Sequence, residues 1–340
     1  MKPEHKYKTA VLLLNVGTPL EPEPRAVNKY LREFLGDRRV IDIPWVFRKI
    51  LVNLLIVPLR SSKSTALYRK LWTGSGSPLL VHGMSLRKKL RDKLGDEYTV
   101  ELAMNYGKPS LEEQLKKVLE NNVNKIVAFP LFPQYASATT GSLMEKLFKS
   151  LSGLNSIPSV KAVTQYFDHP SYIEAMTRQI SKYDYTGYDH VVFSYHGLPL
   201  RQVYRSHGGK SCESYKCREK TDDRNYYCYN ASSYELSRIL SGKLNIPPNN
   251  YTVSFQSRMG KKWLSPFTDE VIVNLAGEGK KRLLLISPSF TSDCLETIVE
   301  AGDEYKKLFL ENGGSELKLV ESLNDNDDWV EAISQIVSEC

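Results

Sequence analysis

Two runs of this chain have the same shape: AVLLLNVGTP at residues 10–19 and HVVFSYHGLP at 190–199. Each is a short stretch of hydrocarbon that stops at a glycine followed closely by proline. A few apolar residues bounded by turn residues read as a strand buried on both faces. Such strands belong to parallel sheets with helices on either side. A second pair has a common outline as well: KIVAFPLFPQYASATTGS at 125–142 and KRLLLISPSFTSDCLETI at 281–298.

Helical spacing lies between the strand-like runs. It is expected at Ala26–Leu35, Leu111–Leu119, Pro170–Tyr183, Leu236–Leu244, Thr268–Leu275 and Asp328–Val337, with further helices opening at Leu143 and near Asp293. Further strands are expected at Val100–Met104, Lys125–Pro130, Thr252–Gln256 and Lys281–Ser287. Strands alternating with helices make βαβ units. The expected fold is therefore α/β: two similar doubly wound, Rossmann-like domains with mostly parallel sheets and a cleft between them. A linker-like Leu151–Pro158 puts the division at 1–155 and 156–340, with the C-terminal helix a candidate to pack back on the first domain. A chain of 340 residues, 41% hydrophobic, can fill two such cores. Neither half carries G-x-G-x-x-G or a P-loop, so nucleotide binding has no local support.

The net charge of +7 is mild for this length and suits an anionic small molecule or an acidic membrane surface. No dense basic stripe points to nucleic acid. The start, MKPEHKYKTA, runs directly into a strand and lacks the pattern of a cleaved leader, so a cytoplasmic protein is expected. Five cysteines, an odd number, argue against a disulfide framework in that compartment.

Pro44–Leu59 (PWVFRKILVNLLIVPL) is the most apolar stretch, flanked by Arg48, Lys49, Arg60 and Lys63. It falls short of the ~20 uninterrupted apolar residues of a membrane span. Two readings stand: a buried helix ending near Pro58, or an apolar lip with a basic rim, suited to a flat greasy carboxylate or a bilayer surface.

Two stretches carry the chemistry. The strand Val191–Phe193 is expected to end at Ser194, displaying His196 at its carboxyl end, where α/β sheets bind ligands. Imidazole there can accept a proton or hold a divalent metal, or simply cap a turn. In SFTSDCLETIVEAGDEY, Ser292 or Asp293 can cap a helix, with Glu296 at the capping-box spacing from Asp293. Asp293, Glu296, Glu300 and Glu304 then share one helix face, either a solvated acidic face or a set of metal ligands. Imidazole and carboxylate at equivalent strand ends form an N/O site for Fe2+ or a similar ion.

With these blocks in view the chain resembles the ferrochelatase family. The resemblance covers essentially the whole length through LLLNVGTP, YRKLWTGSGSPL, FPLFPQYASATTGS, FSYHGLP, FQSRMGKKWLSPFTDE and SFTSDCLETIVE, in the family's order. It implies a lyase that inserts Fe2+ into protoporphyrin IX, releasing two protons, as the last step of haem biosynthesis. His196 falls on the family's active-site histidine and Glu296 on its metal-site glutamate. Glu300 and Glu304 fall on an acidic path along a helix that has a π-bulge in the family. Tyr135, Trp263, Arg38 and Arg39 fall on porphyrin-pocket positions, and Tyr195 within SYHGLP is grouped with them as substrate-binding. Ile50–Leu59 matches a lip that in several relatives touches the membrane, which makes it a candidate peripheral contact.

Departures from the family accompany the match. Cys294 stands where many relatives have histidine, and packing is the favoured reading over a soft metal contact. Asn105 replaces an arginine common in its block. The polar insertion Ser206–Asn230 holds Cys212, Cys217 and Cys228, candidate ligands of the [2Fe–2S] cluster that some bacterial members carry. Such a cluster wants four ligands. Cys340 would have to fold back and Cys294 lies near the active site, so free thiols or a zinc clip stand as alternatives. Ser137 occupies the place of an animal-type cluster cysteine. Rival readings are a chelatase for another tetrapyrrole or metal, a porphyrin carrier indifferent to His196 and Glu296, and a membrane-surface protein built on the Ile50 stretch.

Overall fold

A computed structural model describes residues 7–340; residues 1–6, on which the expectation for the start of the chain partly rests, lie outside the described residues. The chain divides into two units. The first comprises Met1–Phe132, Ala136–Gln165 and Asp325–Cys340, and the second Pro133–Tyr135 and Tyr166–Asn324.

In the first unit β1 (Lys8–Gly17) lies between β2 (Tyr98–Tyr106) and β3 (Val123–Pro130), with β4 (Ser159–Ala162) outermost, all parallel, in the order β2-β1-β3-β4. The hydrocarbon run explains the central place of β1: Ala10 to Leu14 are wholly buried. Ala10, Leu12 and Leu14 join Ala128 on one face, against Leu115 and Val118 of helix Leu111–Leu119 and Leu143 and Leu147 of helix Ser142–Leu151. The next residue of β3, Phe129, points the other way and meets Trp329 of helix Asp327–Ser338 at 6.2 Å between rings. The first unit runs through Gln165 because β4 pairs with β3, so a break at residue 155 would sever that ladder.

The second unit repeats the plan. β5 (His190–His196) lies between β6 (Tyr251–Gln256) and β7 (Arg282–Ile286), with β8 (Glu316–Leu319) outermost, giving the parallel order β6-β5-β7-β8. Val192, Leu283 and Leu285 pack on Ile272, Tyr305 and Phe309.

Several elements differ from the sequence expectation. β5 does not stop at Phe193, since it stays in register with β6 as far as His196↔Gln256. The polar Ser194 is accommodated inside because its hydroxyl bonds Gln256 and Thr268. The strands β4 and β8 escaped the reading because edge strands of four residues with polar members carry little period-two signal. Pro58 does not end its helix. Trp45–Leu71 is one continuous helix whose Leu51–Ile56 turn is π-wound, with the Val57 N–H bonded back to Val52. The wider turn just before Pro58 accommodates a residue that lacks an N–H and whose ring would crowd an α-turn. The helix expected at Leu236–Leu244 starts earlier, at Tyr229, and the helix expected near Asp293 starts at Glu296.

Asp325 ties the last helix into the first unit. Its carboxylate meets His82 Nδ1 at 2.9 Å and accepts from the Ser85 hydroxyl at 2.5 Å, while Lys89 donates to its carbonyl at 2.7 Å. Burial pushes this carboxyl up, but Ser85 and His82 outweigh it and hold it below the usual aspartate value. A depressed carboxyl stabilises the fold above its unfolded pKa, about 3.9, and the gain is lost as pH falls through the folded value. Asp325→Asn is expected to cost about 1–2 kcal/mol in urea unfolding at pH 7. The gap to wild type should close at pH values well below the ordinary aspartate pKa.

Candidate active site

The second sheet changes direction between β5 and β7, since the chain leaves β5 for β6 on one side and returns to β7 on the other. Loops after two such strands part, leaving a crevice at their carboxyl ends. His196 is the last residue of β5, and the chain after β7 enters the helix that begins at Glu296. Sheet topology therefore brings the two residues to the same end of one sheet.

His196 is partly exposed, its ring centroid 6.3 Å from that of Phe290. Its Nδ1 lies 2.6 Å from the Gly197 carbonyl, which can only accept. Nδ1 therefore carries the proton, and in the neutral ring Nε2 keeps the lone pair. Trp263 faces the same turn: its backbone bridges Pro199, and Leu264 N–H donates to Leu198. A Cβ on Gly197 would stand 2.8 Å from the Gln256 carbonyl and 3.4 Å from Trp263 Cε3.

Gln256 at the end of β6 braces both sides. Its Oε1 accepts from Ser194, and its Nε2 donates to the Glu296 carbonyl at 3.1 Å and to Glu300 at 3.4 Å. Glu300 is held further by the Ser257 N–H at 2.8 Å, the Ser257 hydroxyl and the Tyr305 hydroxyl at 2.7 Å. Ser257 takes a left-handed backbone, φ 60°, which aims its N–H and hydroxyl at one carboxylate. Sequence reasoning missed Gln256, Ser257 and Tyr305. The signal was polar Gln-Ser directly after an apolar strand, where the crevice must open.

Residues Glu296–Glu304 form a π-helix, with the Tyr305 N–H bonded to Glu300. Turns slightly wider than α keep residues four apart nearly in line. Glu296 and Glu300 are half-buried and Glu304 is exposed, so the acids run from the strand end outward. Asp293 does not share the line. It is buried, with its carboxylate taking Asn324 at 2.7 Å and Thr297 at 3.0 Å, and no capping box forms with Glu296. Burial and the neighbouring Glu296 carboxylate hold the Cys294 thiol well above its usual range.

Tyr195 does not join the site. Strand alternation turns it to the opposite face, where it is wholly buried and its hydroxyl meets Ser237 at 2.8 Å. Tyr135 belongs to the second unit and packs edge-on against Tyr227 at 5.7 Å. Arg38 and Arg39 belong to the first unit. Both bond Glu145, at 2.7 and 2.5 Å, and Arg39 also reaches Ser137 at 3.0 Å. Asn105 is buried there, donating to Ser142 at 2.8 Å.

The segment between helices Leu200–Arg205 and Tyr229–Lys243 supplies a second cluster. Cys212, Cys217 and Cys228 converge, and the fourth member is His207. Cys340 lies in the first unit, and its thiol donates to the Ile336 carbonyl. The four donor atoms lie within 4.8 Å of one another, and all four residues are buried. Hydrogen bonds from the Cys212 and Cys217 thiols, helped by the N–H groups of Ala231 and Asn230, hold the Cys228 thiol well below its usual value, which favours the thiolate that metals bind. A binuclear iron–sulfur cluster sorts its ligands into two pairs on separate irons, with cross-pair distances beyond about 5 Å. The four atoms are too compact for a [2Fe–2S] group and do not fit it.

The fold is that of the chelatases. It resembles SirB from Bacillus subtilis with Fe3+ (TM-score 0.52, 12% identity, 98% of this chain and 95% of that one). It is equally like SirB of B. subtilis subspecies spizizenii in complex with cobalt (TM-score 0.51, 11% identity, 98% and 94%). Sequence narrows the class. A family model described as Ferrochelatase matches residues 8–340. The ferrochelatase of Coxiella burnetii (strain Dugway 5J108-111) is 41% identical over 99% of this chain and 95% of its own. That of Legionella pneumophila (strain Lens) is 41% identical over 98% and 99%. The chain belongs to the ferrochelatase family, lyases that insert iron into a porphyrin in haem synthesis.

The turn after β5 gives a direct test of this geometry. Gly197→Ala is expected to cost about 1–3 kcal/mol in urea unfolding, because the Gln256 carbonyl cannot yield without moving β6.

Proposed function

We propose that the chain inserts Fe2+ into protoporphyrin IX, with His196 and Glu296 as the pair that carries the reaction. The supporting observation is their common place at the carboxyl end of the second sheet, with Gln256 paired in register with His196 and bonded to the Glu296 carbonyl. Insertion must remove two pyrrole protons and strip water from iron, and a bent macrocycle exposes the nitrogen lone pairs for both. His196 Nε2 holds the lone pair that takes up the two pyrrole protons one after the other, its partly exposed ring returning each to water. Glu296 offers a carboxylate to the iron. Glu304, on the exposed outer turn, begins the path along which iron arrives. Glu300 has both oxygens engaged by Ser257 and Tyr305, so it orders the helix and keeps that path negative.

Trp263 and Tyr135 supply aromatic surface for the macrocycle. Arg38 and Arg39 supply cations for its carboxylates; Arg38 is exposed, so its pair with Glu145 is weak and exchangeable, while Arg39 is half-buried. No step of the reaction passes through the cysteine segment.

Purified protein with Fe2+ and protoporphyrin under anaerobic conditions is expected to turn over. His196→Ala and Glu296→Gln are each expected to lose about a hundredfold or more in kcat. Tight porphyrin binding without turnover, unchanged by either substitution, would establish the carrier reading instead. Turnover with coproporphyrin but not protoporphyrin would reassign the substrate.

We also propose peripheral attachment to the cytoplasmic face of a membrane through helix Trp45–Leu71. By length and composition this helix is long and apolar enough to cross a membrane, yet only 17% of its most apolar window is buried. Phe47, Leu54, Leu55 and Leu59 are among its exposed residues, with Leu59 reaching 79%. Arg48, expected on the basic rim, is instead buried. It donates to the carbonyls of Gly36 and Ile43, leaving Lys49, Arg60 and Lys63 as the rim. Flotation with anionic phosphatidylglycerol vesicles is expected for wild type and lost in Leu54→Ser/Leu55→Ser/Leu59→Ser. Equal flotation of both proteins would refute the attachment.

A further inference from the structure

The excursion 206–228 presents a folding problem of its own. Its sequence, SHGGKSCESYKCREKTDDRNYYC, is mostly polar, and segments of that composition bury too little hydrocarbon to order themselves. Even so, Cys212 is 5% exposed, Cys217 and Cys228 1% each, and His207 5%. Something other than apolar packing must gather these four side chains.

Their geometry names it. Cys212 Sγ lies 3.9 Å from Cys228 Sγ, and Cys217 Sγ lies 3.5 Å from His207 Nε2. Two thiolates on one tetrahedral zinc stand about 3.8 Å apart, and a thiolate and an imidazole about 3.6 Å, from bond lengths near 2.3 and 2.05 Å. The remaining pairs also fall within 4.8 Å. A disulfide between Cys212 and Cys228 would leave the approach of Cys217 and His207 without a cause. The surroundings are built for a fixed ligand set. Asn225, itself buried, donates to Cys217 Sγ at 3.6 Å and to the Lys220 carbonyl, while its Oδ1 takes the Asp222 N–H. The His207 ring stacks on Tyr215 at 4.7 Å.

We propose that His207, Cys212, Cys217 and Cys228 hold one structural zinc ion that staples this excursion. The set is closed: with four protein ligands no coordination position is left for substrate, which separates it from the reacting site. Its binding energy is folding energy for the segment. The segment also carries Tyr226, against Phe167 at 5.9 Å, and Tyr227, against Tyr135.

The test is metal analysis of the purified full chain by plasma mass spectrometry, independent of turnover. Wild type is expected to hold one zinc per chain. Cys217→Ser and His207→Ala should lose it, and His207→Cys, which restores four donors, should keep it. His196→Ala should keep it too, since zinc trapped at the reaction centre would be lost there instead. Stripping zinc with a chelator should expose the segment to trypsin at its Lys and Arg residues and open three thiols to iodoacetamide; zinc repletion should reverse both. Iron with acid-labile sulfide in place of zinc would overturn the proposal in favour of a cluster. A metal-free wild type, or a zinc count unmoved by both Cys217→Ser and His207→Ala, would overturn it outright.

Discussion

The pairing of β5 between β6 and β7 is the constraint on which the second unit's chemistry depends. Parallel ladders fix the relative height of neighbouring strand ends to within a residue. His196↔Gln256 is the last pair of one ladder, and the next turn of β6 chain is Ser257. The histidine, the brace and the left-handed serine that grips Glu300 are thus placed by backbone register. Burial then makes the register costly to change, because a slip of one residue would turn Val192 and Phe193 to each other's faces.

The same rule explains which residues were readable in the sequence. His196 was legible because a buried strand ending in His-Gly admits few other shapes. The acids at 296, 300 and 304 were legible because their spacing survives a change from α to π winding. Tyr195 was misread because adjacency in sequence means opposite faces in a strand, and its neighbour's exposure said nothing about its own. Gln256 and Ser257 were invisible because their importance lies in what they reach across to. The fourth member of the cysteine cluster was not legible for a simpler reason: it is an imidazole, His207, five residues before Cys212 in the same excursion, and the spacing of thiols does not point to it.

At the level of architecture, the two hydrocarbon runs carried the most information, and β1 and β5 do hold equivalent places in sheets of matching order. Polar edge strands and the continuation of a helix through Pro58 lay outside what periodicity reports. The π-turn at Leu51–Ile56 is a local solution to a local conflict, in which apolar composition favours continuing the helix and proline opposes it. A propensity sum sees only the opposition.

The first unit is assembled from distant parts of the chain. Trp329, wholly buried on Phe129, comes from a helix made after the entire second unit. During synthesis the second sheet has all its strands before the first has its last covering helix. The earlier-encoded unit therefore waits, with one face of its sheet partly bare, until the last residues of the chain have been made. That interval is when the nascent protein is most exposed to chaperones and to aggregation, and its length is set by the time needed to translate the residues between β4 and Asp327.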